Sequence, residues 1–179
     1  MTFMQRLRRF ARETKGLAAL EFAILAPMMM LLLFGSMELI DMVLVNRRVQ
    51  NVAASVSDVV ARDTEVSNDE ITGLWSASDV LIFPENATPM SLRITSITII
   101  SATSAQVLWS EGHGMAARAV GESITGLPDE MMQPGSNIIM GEVEYPYSLP
   151  IGLVWDGEMT MRHTSYRRSR MVDPIPRVS

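Results

Sequence analysis

Residues 16–45, GLAALEFAILAPMMMLLLFGSMELIDMVLV, decide how the rest of the chain is organised. The uncharged run at residues 22–37 is shorter than the ~20 apolar residues that cross a bilayer. A membrane helix must therefore extend past Glu21 or Glu38. We predict a transmembrane helix over residues 17–45, with Glu21 inside the hydrocarbon or at its edge. An ionisable side chain in that position is costly, and it indicates a function.

Charge is distributed unevenly along the chain, whose net charge is −5. The leader, residues 1–16, contains one acid and five bases: Arg6, Arg8, Arg9, Arg12 and Lys15. A basic leader before an apolar span is the positive-inside arrangement, which keeps the leader in the cytoplasm. We predict a single-pass protein of a bacterial inner membrane, with the residues beyond about 46 in the periplasm. The acidic remainder argues against nucleic acid as a partner.

A secretory signal peptide is an alternative interpretation of the same stretch. Such signals have an apolar region of ~7–15 residues, followed by a cleavage site of the small-x-small type. Here the apolar region is longer, contains Glu21 near its start, and is followed by Met-Glu-Leu-Ile at residues 37–40. We therefore expect a retained membrane anchor.

The sequence KGLAALEF at residues 15–22 resembles the class III prepilin processing motif: a glycine, four residues, then Glu21 and the aromatic Phe22. With its continuation to about residue 45, the segment is similar to the TadE-like minor pseudopilins of tight-adherence (Flp) pilus systems. The resemblance implies cleavage after Gly16 by a membrane-bound prepilin peptidase, so that Leu17 becomes the new N-terminus. It also implies other pilin or pseudopilin subunits and Tad assembly proteins as partners.

The spacing of this motif has a chemical interpretation of its own. Cleavage after Gly16 would create an α-amine at Leu17, and Glu21 lies four residues on, on the same helix face. Its carboxylate can offset the positive charge at the N-terminus of its own helix. Alternatively, it can pair with the α-amine of a neighbouring subunit. Such a pair would set axial register more than add stability, because desolvation offsets much of the attraction. The residues alone equally allow an uncleaved anchor with Glu21 among the lipid headgroups.

The helix is predicted to continue beyond the membrane. Apolar residues recur at helical spacing over residues 49–60, and neither glycine nor proline interrupts residues 36–63. We predict one helix over residues 17–62, apolar almost all round in its first half and amphipathic in its second, which suits packing against a soluble domain. Pro27 removes one backbone hydrogen bond, so we expect a kink or a loosened turn near it.

The predicted fold class is α+β: a long N-terminal helix, transmembrane and then amphipathic, packed on a small antiparallel sheet in a pilin-like arrangement. The predicted parts are a leader (1–16), a transmembrane helix (17–45), an amphipathic extension (46–63), a connector (64–90) and a periplasmic antiparallel-sheet domain (91–179). The last of these should be covered on one face by the amphipathic extension, and its polar face should meet water.

Runs of β-branched and alternating residues predict four strands, at residues 92–100, 105–109, 137–147 and 157–166. The alternation is imperfect around Ser96, which leaves the register of the first strand open. Short helices are expected at residues 69–76 and 115–123.

The sequence contains little that indicates catalysis. Two histidines, His113 and His163, and no cysteine argue against a metal site. Glu142 and Glu144 share a strand face, as a catalytic pair would, but we interpret both as solvated. We therefore predict neither a cofactor nor an enzymatic activity. A solvated, partly disordered tail is the expectation for the C-terminal arginines, with an acidic partner subunit as the alternative contact: Arg162, Arg167, Arg168, Arg170 and Arg177.

These patterns lead to one functional hypothesis and two rivals. The hypothesis is a non-enzymatic minor pseudopilin, cleaved after Gly16 and inserted in the inner membrane, that supports assembly or initiation of a Tad/Flp-type pilus. The main rival is an uncleaved single-pass scaffold of a secretion complex with a periplasmic interaction domain. A membrane-tethered periplasmic enzyme is the third class, and the lack of a recognisable site argues against it.

Overall fold

The computed structural model describes Met4, residues 16–152 and residues 156–179. It contains a 45-residue helix, α1 (Leu17–Ala61), and a 14-residue helix, α2 (Asn68–Leu81). Five strands follow: β1 (Ser91–Ser101), β2 (Ser104–His113), β3 (Ser123–Ile124), β4 (Asn137–Ser148) and β5 (Glu158–Arg168). The α+β class predicted from the sequence is confirmed. The predicted leader, apart from Met4 and Gly16, lies outside the described residues.

The strands form one antiparallel sheet in the order β3-β2-β1-β4-β5. The four predicted strands are present, each within two residues at its start. The prediction of four was nevertheless incomplete, since the two-residue β3 pairs with the edge of β2. The prediction of a helix at residues 115–123 was also wrong. That segment is a loop between Gly114 and Gly121, whose φ angles of 68° and 81° end regular structure on either side.

Helix α1 ends one residue before the predicted position and continues through Pro27 without a break in its assignment. Beyond Val45 one stripe of the helix is fully buried, and it packs across β4 and β5: Val45, Val49, Val52, Val56 and Val60. The spacing of these valines places them on one face. At Gly141 of β4 the two layers come so close that an added Cβ would lie 2.9 Å from the carbonyl oxygen of Ala53. The predicted cover of the sheet by this helix is confirmed.

Helix α2 is longer than the predicted residues 69–76. It starts with a capping box, in which Ser67 and Glu70 satisfy each other's backbone N–H groups. The hydrogen bond from the Ser67 backbone is the main cause that lowers the pKa of Glu70. The helix continues for a further turn, in which Ser78 is buried and donates to the carbonyl oxygen of Leu74.

Strand β1 explains why its alternation looked irregular. Leu92 and Ile94 belong to the core beneath α1, whereas Ile97 and Ile99 belong to a second core on the opposite face of the sheet. The apolar set changes face after Ser96, and β2 has a register shift at the same level. The prediction that one face of the sheet is polar was therefore wrong. That face carries the second core, which is covered by the segment that contains Ile124 and Leu127.

The C-terminal segment is part of the fold. Ile175 is fully buried, and its carbonyl oxygen accepts a hydrogen bond from the Trp109 indole at 2.9 Å. Val66 pairs with Arg177 in a short parallel bridge. A disordered tail was therefore the wrong expectation, and the reason is packing between segments far apart in the chain.

Candidate functional site

The predicted processing motif lies at the start of α1. Gly16 is the N-cap residue, with no side-chain cap, and Leu17 is the first helical residue. Among the described residues, leaving aside its own helix and its chain neighbours, no atom lies within 4 Å of where a Cβ of Gly16 would be. Leu17, Glu21 and Phe22 are all exposed. The peptide bond after Gly16 thus lies at the start of the helix, with exposed residues on its C-terminal side.

Glu21 and Pro27 lie on the same exposed part of α1. Glu21 is the fifth residue of the helix, just beyond a first turn that contains no acid. Pro27 lies inside the continuous helix, so the kink expected there stays a prediction. Around them, Phe22, Ala26, Met29 and Leu33 line an open apolar surface of the helix.

Among the described residues, α1 is the one helix that is long and apolar enough to cross a membrane. Every exposed residue of α1 from Phe22 to Leu44 is uncharged. This continuous apolar surface is longer than the uncharged run in the sequence. The reason is that Glu38 and Asp41 point away from it, toward the sheet domain.

Glu38 and Asp41 form the junction between α1 and the end of the β4–β5 hairpin. Glu38 is only 2% exposed, and its Oε1 accepts a hydrogen bond from the backbone N–H of Ile151 at 3.1 Å. Asp41 accepts a hydrogen bond of 2.5 Å from the hydroxyl of Tyr147. These two acids join α1 to the sheet domain, which hydropathy alone did not indicate.

Further contacts hold the C-terminal half of α1 against the rest of the protein. Asn46 Oδ1 lies 2.8 Å from Nε2 of His163, and Arg48 pairs with Glu85 at 2.9 Å. Asp58 accepts a hydrogen bond from Arg170 at 2.8 Å. Helix and sheet are therefore held together by polar contacts on both sides of the buried valines.

Glu142 is not solvated, contrary to the prediction. Its carboxylate pairs with the Arg93 guanidinium at 2.7 and 2.9 Å and with Arg118 at 2.9 Å. Burial works to raise the pKa of Glu142, but the hydrogen bonds and charges of these two arginines outweigh it and hold the pKa below its usual range. Glu144 pairs separately with Arg162 at 2.8 Å.

The group around Glu142 lines a polar cavity of about 400 Å³ with Ser123, Thr164 and Tyr166. A carboxylate held ionised between two guanidinium groups is a poor proton donor near neutral pH. Such a group instead ties β1 and β4 to the loop that contains Arg118. The cluster is a structural clamp, and Arg118 was not singled out in the sequence because its position depends on the path of that loop.

The two histidines contact other side chains, at separate places in the fold. His113 stacks on Trp75 with ring centroids 5.7 Å apart, and His163 faces α1. The part of the chain that the structure describes contains no group of three or more acidic, histidine or cysteine side chains that could hold a metal ion.

The C-terminal arginines contact acids of the same chain. Arg170 pairs with Asp58, and Arg177 pairs with Glu111 at 2.9 Å. Arg177 also donates to the carbonyl oxygen of Val66. Partner binding by this segment would have to compete with these internal contacts.

Comparison with known families shows a match to the N-terminal part of the chain. The model of the TadE-like protein family matches residues 16–57. The match begins at the N-cap residue of α1 and ends in the part of the helix that packs on the sheet. Neither a curated protein nor a solved structure matches the chain. Over residues 16–57, which contain the candidate membrane span and most of the packed extension of α1, this chain is similar to the TadE-like family.

Proposed function

We propose that this protein is a minor pseudopilin of a Tad/Flp-type pilus system. In this proposal it is inserted in the bacterial inner membrane with its leader in the cytoplasm and its sheet domain in the periplasm. A prepilin peptidase cleaves it after Gly16, and it then supports assembly or initiation of the pilus without an enzymatic activity of its own. The observation that carries the proposal is the TadE-like match that starts at Gly16 itself.

The geometry of the helix start supports the cleavage step. The Gly16–Leu17 bond lies where the helix begins, with exposed residues on its C-terminal side. A Cβ added at residue 16 would meet no atom of the residues that the structure describes beyond its chain neighbours and its own helix. A substitution there therefore tests recognition by the peptidase and leaves the packing of the domain unchanged.

The apolar surface of α1 and Glu21 support the assembly step. After cleavage, Glu21 would lie four residues from the new α-amine of Leu17, close enough to pair with it in the same or a neighbouring helix. The exposed surface of α1 offers apolar side chains for contact with other helices in the membrane, where association depends on packing. The sheet domain would then supply contacts in the periplasm.

The N-terminal sequence of the protein purified from its native membrane tests the cleavage. We expect Leu17 as the first residue, and Met1 when the prepilin peptidase is deleted. Gly16→Val should also retain Met1. Gly73→Val is the matched control, since Gly73 likewise has no atom within 4 Å of an added Cβ but lies in α2. An intact leader in the unmodified chain would overturn the proposal and favour the uncleaved scaffold.

The role of Glu21 is tested separately from cleavage. Glu21→Gln keeps the size of the side chain and removes its charge, so we expect normal cleavage and loss of surface pili in shear preparations. Glu65→Gln is the control, because Glu65 is an exposed acid outside α1. Normal piliation in the Glu21 variant would refute the proposed pairing.

A further inference from the structure

The depth of α1 in the bilayer can be inferred from its acidic residues, because some of them are covered by protein and others are not. Glu21 is exposed, whereas Glu38 is almost completely buried by the sheet domain. An exposed carboxylate in hydrocarbon is costly, but one shielded by protein is tolerated. The span that avoids the larger cost therefore starts after Glu21 and is free to continue past Glu38.

The exposed apolar surface of α1 gives the same placement. It runs from Phe22 to Leu44, which is about 34 Å of helix at ~1.5 Å per residue. The hydrocarbon core is ~30 Å thick, and membrane helices are tilted by ~20° on average. With Glu21 at the inner edge, Leu44 lies at the outer edge.

This placement puts the end of the β4–β5 hairpin below the outer edge of the hydrocarbon. Glu38 precedes Leu44 by six residues, or about 9 Å along the helix. The Ile151 backbone N–H donates to the Glu38 carboxylate at 3.1 Å, so this part of the hairpin lies at the same depth. We call the described residues 149–152 the hairpin tip.

The composition of the hairpin tip suits this depth. The strand that leads to it carries no charge from Tyr145 onward, and the tip itself is Leu-Pro-Ile-Gly. The side chain of Ile151 is 58% exposed, although it lies beside the most apolar part of the chain. Glu38 and Asp41, the two acids of α1 at this level, are both engaged by the hairpin through Ile151 and Tyr147.

We propose that the hairpin tip inserts into the outer leaflet of the same bilayer that α1 crosses, with Ile151 among the lipid acyl chains. There it shields Glu38 from lipid and holds the sheet domain down on the membrane surface. The domain is thus anchored at two points, the helix and the hairpin. This inference rests on the membrane span of α1 and is independent of cleavage after Gly16 or of a role in pili.

Site-directed spin labelling tests the insertion directly. The chain has no native cysteine, so single variants can be labelled without removing other thiols. The full-length protein is reconstituted in vesicles of phosphatidylethanolamine and phosphatidylglycerol. Labels are attached at Ile151→Cys, at Leu32→Cys in the middle of the span, at Leu44→Cys at its predicted edge, and at Val120→Cys. Val120 is 76% exposed on a loop beside β2, the opposite side of the sheet from β5.

The measurement is the collision rate of each label with oxygen, which concentrates in lipid, and with a water-soluble nickel complex. For Ile151 we expect a gain in oxygen collisions and a loss of nickel collisions relative to Val120, at a depth between Leu44 and Leu32. Free access of the nickel complex to the Ile151 label would overturn the proposal. Protection of that label from both reagents would also overturn it, and would indicate that a second protein copy covers the tip.

The Leu32 label separates this inference from its premise. If that label is also accessible to the nickel complex, α1 does not span the bilayer and both statements fail together. If Leu32 is in lipid and Ile151 is in water, only the hairpin insertion fails. The substitution at residue 151 leaves the backbone N–H that Glu38 accepts unchanged, so the junction is preserved in the labelled protein.

Discussion

The contact between α1 and β4 at Gly141 makes a quantitative prediction about the Gly141→Ala variant. The new Cβ would lie 2.9 Å from the carbonyl oxygen of Ala53 and 3.1 Å from Cβ of Ser57. Both distances are shorter than ordinary van der Waals contacts, and the first partner is helix backbone that no rotamer change can move. Either α1 or β4 must therefore shift by several tenths of an ångström.

The expected cost follows from what that shift disturbs. Ser57 donates to the carbonyl oxygen of Ala53 at 2.9 Å and lies 3.0 Å from the hydroxyl of Ser165, so the three residues cannot move apart independently. Overpacking of this kind costs about 1–3 kcal/mol of unfolding free energy. Gly73→Ala is the matched control: no atom lies near its added Cβ, and alanine in a helix interior is worth up to about 1 kcal/mol over glycine.

The assay is urea unfolding of the full chain in detergent micelles, followed by tryptophan fluorescence, since Trp109 lies in the core. The free energy in water is extrapolated from the transition. We expect a decrease for Gly141→Ala and an increase or no change for Gly73→Ala. A Gly141→Ala variant within about 0.5 kcal/mol of the unmodified chain would refute the argument from close packing.

Three further predictions concern the charged clamp and the C-terminal segment. The pKa of Glu142 is lowered in the folded state, so its stabilisation is present above the unfolded value of about 4.3 and is lost as pH falls through the lower folded value. Below about pH 4.3 the unmodified chain should lose thermal stability with falling pH, and Glu142→Gln should show a smaller slope. Trp109→Phe removes the donor to the buried carbonyl of Ile175 and should cost about 1–3 kcal/mol in urea unfolding. Arg177→Gln removes an ion pair and backbone contacts, so limited proteolysis should remove the C-terminus faster, whereas the exposed Arg162→Gln should leave that rate unchanged.

Each of these has a result that would contradict it. Equal acid slopes for both forms would show that Glu142 does not titrate below its unfolded value. Unchanged stability of Trp109→Phe would mean that the Ile175 carbonyl finds another donor at no cost. Equal cleavage rates for the Arg177 and Arg162 variants would show that the tail is held by apolar burial alone.

The architecture was largely predictable because its signals are local. The apolar run, the valine spacing after Val45 and the β-branched segments each depend on neighbours within a few residues, and they predicted α1 and the four main strands. The TadE-like match begins at Gly16, the residue where the sequence predicts a processing motif, and that motif stays a prediction. Periodicity failed in β1, since that strand buries residues on both faces and changes its apolar face at Ser96.

What the sequence by itself determined is the long apolar helix, its amphipathic extension, the α+β class and the resemblance of its start to the TadE-like family. Only the tertiary structure decided which acids of α1 are covered, which arginines hold Glu142 and where the C-terminal segment lies. These contacts join residues far apart in the chain, as Ile151 joins Glu38 and Arg93 joins Glu142. Their formation depends on strand register and on how helix and sheet are superposed, and neither leaves a trace in local composition. The sequence placed Glu38 inside the predicted span of residues 17–45, whereas the fold covers it with the sheet domain.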